Sequence, residues 1–186
     1  MQKKSQRILT INIVCTALFS AMAVVLMNVE TALPLFPEFL KFDFSEIPVL
    51  VGSFSLGPIY GVIIELFKNL LHILTMGSST AYIGELGNFV AGSVFVFTAG
   101  MIYSRHRTRK GAIIGMIIAT IFLGLFAIPF NYFVTMPMYG INSGRLTMAL
   151  TVFAPFNLIK GVIISFITFW IYKPLSTLIN RIRNKQ

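Results

Sequence analysis

The stretch APFNLIKGVIISF, residues 154–166, places Asn157 and Lys160 in an otherwise largely apolar run. It lies inside a longer segment, 146–172, whose only charged residue is Lys160. That segment is longer than the roughly 20 apolar residues that a helix needs to cross a bilayer. A Lys at the centre of a spanning helix costs about 2.5–3.5 kcal/mol on insertion scales. The stretch therefore predicts a transmembrane helix that carries a functional polar pair.

The composition extends this prediction to the whole chain. Of the 186 residues, 56% are hydrophobic and only 11% are charged, and the mean hydropathy is +0.82. Uncharged segments of spanning length also occur at 8–29, 86–104 and 111–144. Residues 47–82 are expected to form two shorter helices that meet at Gly57-Pro58, because Pro is favoured at the first position of a helix. We therefore expect an all-α integral membrane protein in one domain, 1–186, a bundle of six transmembrane helices at approximately 8–29, 46–57, 58–75, 83–104, 111–134 and 149–173.

The basic residues predict the orientation of this bundle. They occur mainly in three clusters: Lys3, Lys4 and Arg7; Arg105, Arg107, Arg109 and Lys110; and Lys173, Arg181, Arg183 and Lys185. By the positive-inside rule all three clusters are cytoplasmic, so an even number of helices separates each from the next. Both termini are then cytoplasmic. The net charge of +9 is explained by orientation and by attraction to anionic lipid, and it requires no nucleic-acid partner.

The N-terminus allows a second interpretation, a cleavable signal peptide. Basic residues, an apolar stretch and AMA at 21–23 resemble a cleavage site. Removal of this segment would leave an odd number of crossings and would separate the basic clusters across the membrane. The transmembrane interpretation is therefore preferred. The single Cys15 excludes an intrachain disulfide.

The longest outer connection, between helices 1 and 2, is ETALPLFPEFLKFDFSE at residues 30–46. It holds four of the six acidic residues and mixes Pro with Phe and Leu. A segment this apolar is expected to fold back over the bundle as a lid. The alternative is an interfacial loop among lipid headgroups.

Polar side chains inside the predicted helices indicate a binding face. Gly84, Gly87, Asn88 and Ala91 recur at spacings of three and four, which puts them on one helix face. Small residues also serve plain helix packing, but Glu85 and Asn88 favour the border of a cavity. Asn131 lies near the outer end of the fifth helix, and Asn157 and Lys160 share a face of the sixth. Glu30 and Glu85 are alternative ion-pair partners for Lys160, whereas Glu65 and Lys68, three apart, predict a structural ion pair.

This set of groups favours a planar heterocycle as the ligand. Small residues, amides and one ammonium group suit a flat ring with several acceptors, whereas a small anion would recruit several cations. The chain has no G-x-x-x-x-G-K-[ST] phosphate loop, and His72 has no evident carboxylate partner in the sequence. Two His and no Cys cluster argue against a dedicated zinc site. We therefore expect no catalytic residues, no metal and no cofactor; a stand-alone secondary transporter is the remaining alternative, although no inverted repeat is visible.

Three stretches resemble a known family. They are KFDFSEIPVLVGSFSLGPIYGVIIELFKNLLH (41–72), YIGELGNFVAG (82–92) and APFNLIKG (154–161). They are similar to the substrate-binding S components of energy-coupling factor (ECF) vitamin transporters, and the second and third stretches resemble the riboflavin-specific branch. The resemblance implies a plasma-membrane protein that captures riboflavin from outside and delivers it with a transmembrane coupling protein (EcfT type) and two ATPase subunits (EcfA type). Folate and thiamin are the alternative vitamins.

The resemblance also implies roles for individual residues. Asn131, Asn157 and Lys160 would contact polar groups of the ligand, and Gly84 and Asn88, with Glu85 beside them, would form the flat wall. The lid would contribute Leu33, Phe36, Lys41, Phe42 and Phe44. Ala17 and Ala21, in ALFSA, would dock the coupling protein, since two alanines four apart leave a shallow groove for another helix. Internal packing is the alternative for these alanines.

Overall fold

A computed structural model describes residues 2–184 and the side chains of residues 6–179. The helices are α1 (Gln2–Met27), α2 (Glu46–Leu56), α3 (Pro58–Met76), α4 (Ile83–Arg105), α5 (Arg109–Phe130), α6 (Met136–Met138), α7 (Arg145–Met148) and α8 (Ala154–Asn184). The π-helical turns Asn131–Thr135 and Ala149–Phe153 join α5 to α6 and α7 to α8. The chain thus forms six helical segments, and the all-helical prediction is confirmed. The side chains of five residues in the predicted terminal basic clusters lie outside the described residues: Lys3, Lys4, Arg181, Arg183 and Lys185.

Five of the six segments are long and apolar enough to cross a membrane. They are Gln6–Met27, Pro58–Met76, Ile83–Arg105, Arg109–Met138 and Arg145–Ile179. The segment α2 is apolar but has only 11 residues, which is about 16 Å of helix at 1.5 Å per residue. This is about half of the hydrocarbon thickness, so α2 extends only part of the way through the bundle.

The break between α2 and α3 follows from two adjacent residues. Gly57 has φ +121°, a conformation that a side chain would strain. Pro58 is the first residue of α3, where its missing N–H is not needed. The chain therefore turns back at Gly57, as the Gly-Pro dipeptide predicts, and α3 runs antiparallel beside α2.

The bundle has α2 and α4 near its middle. The helix α2 packs against α1, α3, α4 and α8, while α4 lies between α3 and α5. Gly100 allows this closeness, since a Cβ there would lie 2.1 Å from the Ser53 hydroxyl oxygen. The rings of Phe54, Tyr103 and Tyr172 pack together in the core, with centroids 4.6–5.8 Å apart.

Three connections meet at one end of the bundle, which we call the loop end: 28–45, 77–82 and 139–144. The Phe39 ring lies 5.2 Å from the Tyr139 ring, and Thr80 and Tyr139 line the same cavity as Phe39. The first connection also forms a two-stranded antiparallel ribbon of β1 (Thr31–Ala32) and β2 (Lys41–Phe42). The loop end is therefore an ordered cover rather than an extended tether.

Candidate functional site

A cavity lies directly beneath the loop end, and every one of the six helical segments contributes to its wall. Seven of the residues predicted from the sequence line it: Lys41, Gly84, Glu85, Asn88, Asn131, Asn157 and Lys160. These residues come from the first connection and from α4, α5–α6 and α8. The fold therefore brings together polar groups that are up to 119 positions apart in the chain, as Lys41 and Lys160 are.

The partner of Lys160 is Asp43. Lys160 Nζ donates a hydrogen bond to Asp43 Oδ2 at 3.0 Å, and the two side chains are 11% and 1% exposed. The sequence had suggested Glu85 or Glu30 as the partner of Lys160. Asp43 takes this place because the first connection folds toward the bundle and brings Asp43, the residue after β2, against α8. The other Asp43 oxygen accepts a hydrogen bond from the Ser45 backbone N–H at 2.8 Å, which fixes the carboxylate.

The charge of Asp43 is stabilised by its surroundings. Burial alone raises the pKa of this carboxyl group, but the Lys160 and Lys68 ammonium charges and the hydrogen bonds from Ser45 outweigh burial and lower the pKa to about 2. Asp43 is therefore an anion at physiological pH. It neutralises the cation that the sequence left without an obvious partner.

The amide groups in the wall are held by the helices that carry them. Asn131 Nδ2 donates to the Ala127 carbonyl at 2.7 Å, and Asn157 Nδ2 donates to the Phe153 carbonyl at 2.9 Å. Asn131 begins the first π-helical turn, and Asn157 bonds to Phe153, the last residue of the second. Widened helical geometry of this kind often marks functional sites. Asn88 Oδ1 is buried and accepts no hydrogen bond from the described residues. A ligand donor at this oxygen would remove the cost of that unpaired acceptor.

Aromatic rings also line the cavity. The lining includes Phe39, Phe126, Phe130, Tyr139, Phe153 and Phe156. The Phe126 and Phe130 rings are stacked at 5.6 Å, with an angle of 17° between their planes. Gly84, Gly87 and Ala91 line the wall from α4. The lining thus combines a small-residue helix face with aromatic side chains, the kinds of surface that suit a flat ring.

His72 has a carboxylate neighbour, contrary to the expectation from the sequence. Its Nδ1 lies 3.9 Å from Glu85 Oε1, and the other Glu85 oxygen accepts a hydrogen bond from Ser78 Oγ at 2.8 Å. The two residues are on different helices, α3 and α4, so sequence spacing carries no sign of the contact. Glu85 is thus held at the cavity wall by the 77–82 connection.

Comparisons with known proteins identify the family of this chain. A model of the family described as the substrate-specific component of ECF transporters matches residues 12–172. The chain belongs to this family. Five of its helices are long and apolar enough to span a membrane, so this S component is a multi-pass protein of the bacterial plasma membrane. Members of the family are transport components rather than enzymes.

The chain is also similar to curated transport proteins and to a solved structure of an S component. The riboflavin transporter RibU of Staphylococcus aureus is 36% identical, over 97% of this chain and 95% of its own length. The riboflavin transporter FmnP of Bacillus subtilis is 27% identical, over 92% and 95%. A solved structure of the S component of a bacterial ECF transporter is 36% identical and covers 91% of this chain and 98% of its own, with a TM-score of 0.78.

The first connection, which the sequence predicts to be a lid, contributes fewer residues to the cavity than expected. Of the predicted lid residues, Leu33, Phe36, Phe42 and Phe44 do not line it. Successive side chains of a strand point to opposite faces, so Phe42 faces away from the cavity when Lys41 faces it. The Phe42 ring packs on Phe44 instead, and Phe36 packs behind Phe156.

Several lining residues were not predicted from the sequence. Phe39 and Leu40 come from the lid, Glu46 begins α2, and Tyr139 belongs to the 139–144 connection. Phe39 was recognisable as one of many aromatic residues in the lid, but nothing in the sequence separates it from Phe36. Only the packing of Phe39 on Tyr139 and on Phe153, at 5.2 and 6.1 Å between ring centroids, distinguishes it.

The predicted Glu65–Lys68 ion pair is present, and Glu46 is a second carboxylate partner of Lys68. Lys68 Nζ lies 2.8 Å from Glu65 Oε2 and 2.8 Å from Glu46 Oε1. Asn69 Nδ2 donates to the Glu65 backbone carbonyl at 2.9 Å. Because Glu46 lines the cavity, this buried network connects the cavity wall to the interior of α3.

Ala17 and Ala21 are exposed on the outer surface of α1, so internal packing is not their role in the described structure. Ala17 lines a shallow, almost wholly apolar groove between α1 and α3, together with Thr16, Ser20, Tyr60, Ile63 and Phe67. The groove lies on the side of the bundle away from α5 and α8, which do not pack extensively against α1.

Proposed function

We propose that this chain is the riboflavin-binding S subunit of an ECF-type ABC transporter. The observation that carries the proposal is the cavity beneath the loop end, whose wall combines Lys160, which is paired with Asp43, and three asparagines with aromatic rings and the small-residue face of α4. Relatives named as riboflavin transporters, at up to 36% identity over nearly the whole chain, support the same ligand.

The chemistry of riboflavin suits these groups. The isoalloxazine ring is planar and largely apolar on its faces, so Phe126, Phe130 and the α4 wall offer it stacking and close contact. Its carbonyl oxygens and ring nitrogens accept hydrogen bonds, which Lys160 and the asparagine amides can donate. Its imide N–H and ribityl hydroxyl groups are donors, for which Asn88 Oδ1 is a buried acceptor.

The orientation that we propose places the loop end outside the cell and both termini in the cytoplasm. The basic residues Arg105, Arg107, Arg109 and Lys110 support it, because they lie at the end of the bundle opposite to the loop end. The cavity then opens toward the medium. In this proposal α2 and the connection before it form one crossing and α3 forms the next, with the turn at Gly57 toward the cytoplasmic end, where Pro58 approaches Gly100 of α4.

The energy for uptake comes, in this proposal, from partner subunits. A transmembrane coupling protein of the EcfT type would dock on the exposed face of α1 at Ala17 and Ala21, beside the α1–α3 groove that Ala17 lines, and two EcfA-type ATPases would complete the complex. Small residues on an exposed helix face support a helix-to-helix contact of this kind. The subunit would then topple in the membrane and release riboflavin to the cytoplasm.

Purification tests the ligand assignment. The chain, purified in detergent from cells grown with riboflavin, is expected to be yellow and to contain flavin at near 1:1, and the stripped protein is expected to rebind riboflavin. Folate and thiamin serve as competitors in the titration. Colourless protein that binds no riboflavin contradicts the proposal, and uptake by the chain alone in liposomes would indicate a stand-alone transporter.

A further inference from the structure

The ionisable groups around the cavity are matched so that no described ammonium group is left without a carboxylate. Lys160 pairs with Asp43 at 3.0 Å, Lys41 pairs with Glu30, and Lys68, behind the wall, pairs with Glu46 and Glu65 at 2.8 Å each. The remaining carboxyl group, Glu85, faces His72 at 3.9 Å. The cavity thus carries cations, but none of them is free to serve an anion.

The carboxyl groups around the cavity are more numerous than the ammonium groups. Three ammonium groups stand beside five carboxyl groups: Lys41, Lys68 and Lys160 against Glu30, Asp43, Glu46, Glu65 and Glu85. The carboxyl groups outnumber the ammonium groups by two. In a site that excludes most water, such charges act on a ligand over many ångströms.

Asp43 is the member of this set that controls the polar contact proposed for the ligand. Lys160 lines the cavity, and Asp43 holds its ammonium from the side of the lid. Asp43 itself is fixed by the Ser45 N–H and does not line the cavity. The Asp43 carboxylate therefore neutralises the Lys160 charge. The remaining N–H groups of the ammonium stay available to donate hydrogen bonds to a neutral acceptor.

We propose that Asp43, by neutralising Lys160, makes this cavity select riboflavin over riboflavin 5′-phosphate. The inference rests on the proposed function. A phosphate monoester carries a charge of about −1.5 to −2 at pH 7, and each unpaired carboxylate near the cavity repels it. A neutral vitamin meets no such cost. Asp43 is thus a specificity-determining residue that acts through Lys160 and touches no ligand atom itself.

The selectivity ratio tests this role. The Kd of each ligand is measured by quenching of flavin fluorescence, and the ratio of the Kd for the phosphate to the Kd for riboflavin is compared between variants. In Asp43→Asn, which frees the Lys160 charge, the ratio is expected to fall at least tenfold. In Asp43→Asn/Lys160→Met, where both charges are absent, it is expected to return to within about threefold of the wild-type ratio. Glu38→Gln, an exposed carboxylate of the same lid, is the matched control and is expected to leave the ratio unchanged.

A second pair of variants covers the case in which Asp43→Asn does not fold. Lys160→Met alone leaves the Asp43 carboxylate unneutralised, so its ratio is expected to be at least tenfold higher than that of the double variant. Equal ratios in whichever pair folds would overturn the role of Asp43. A wild-type protein that binds neither flavin would instead overturn the proposed function, so the two failures are distinguishable.

Discussion

Lys68 Nζ donates a hydrogen bond to Glu46 Oε1 at 2.8 Å and thereby ties α3 to the first residue of α2. Both side chains are buried, and Glu65 approaches the same ammonium group from within α3. Glu46 lies three residues after Asp43, at the end of the lid segment. The network therefore anchors the lid at the point where it enters the bundle.

Removal of the Lys68 charge is expected to destabilise the protein strongly. In Lys68→Met two buried carboxylates lose their cation, and breaking a buried ion pair costs about 3–5 kcal/mol. Lys41→Met is the matched control, because the Lys41–Glu30 pair is partly exposed and pairs of that kind contribute about 0–1 kcal/mol. Thermal unfolding in detergent measures both variants. Similar melting temperatures for the two would contradict a structural role for the network.

Lys160→Met is expected to weaken riboflavin binding at least tenfold, about 1.4 kcal/mol, while the protein remains folded. The variant removes a charged donor from the cavity wall and leaves the volume of the side chain nearly unchanged. Titration of flavin fluorescence is the suitable measurement, because the only Trp, Trp170, lines a separate groove with Arg109 and Lys173. Unchanged affinity would remove Lys160 from the binding site.

The ring of Phe39 is expected to matter for retention of the ligand. It lines the cavity and joins the lid to Tyr139 and Phe153, so Phe39→Ala opens the cover from within. Riboflavin is expected to dissociate at least tenfold faster in stopped-flow release. Leu35→Ala changes a lid residue that is 92% exposed and should release the vitamin at the wild-type rate. Equal rates for the two variants would show that the lid does not retain riboflavin.

The Asp43–Lys160 pair predicts a specific dependence of stability on pH. The folded-state pKa of Asp43 is about 2, below its ordinary value of 3.8. A depressed pKa means that the pair contributes fully above pH 3.8 and loses its contribution as the pH falls toward 2. The difference in melting temperature between the wild type and Asp43→Asn is therefore expected to stay constant from pH 7 to 5 and to shrink below about pH 4. A difference that already shrinks between pH 7 and 5 would argue against the pair.

Local sequence patterns predicted the helices well, because they depend on residues close together in the chain. The Gly57-Pro58 break and the Glu65–Lys68 pair each follow from neighbouring positions, and both appear in the structure. The π-helical turns after Phe130 and Met148 were not predicted. They add one residue per turn without a distinctive residue type, so the hydropathy pattern continues through them.

Long-range pairings were the part that the sequence could not supply. Lys160 had several acidic candidates, and the choice of Asp43 depends on how the lid descends between β2 and α2. Likewise, the register of a two-residue strand decides that Lys41 rather than Phe42 faces the cavity. Residue types therefore indicated the chemistry of the site, whereas the fold of the lid determines which members reach it.

Two glycines of α4 are expected to respond in opposite directions to the same substitution. A Cβ at Gly92 would lie 2.7 Å from the Glu65 carboxyl carbon, and Glu65 is held by Lys68 and cannot move away freely. At Gly87 the nearest atom is Thr135 Cγ2 at 3.8 Å, an ordinary contact. Overpacking costs about 1–3 kcal/mol, whereas Gly→Ala in a helix gains up to about 1 kcal/mol when space is available. Gly92→Ala should therefore melt below the wild type and Gly87→Ala at or above it, and a Gly92→Ala protein that melts above the wild type would show that α4 is not in close contact with the buried network.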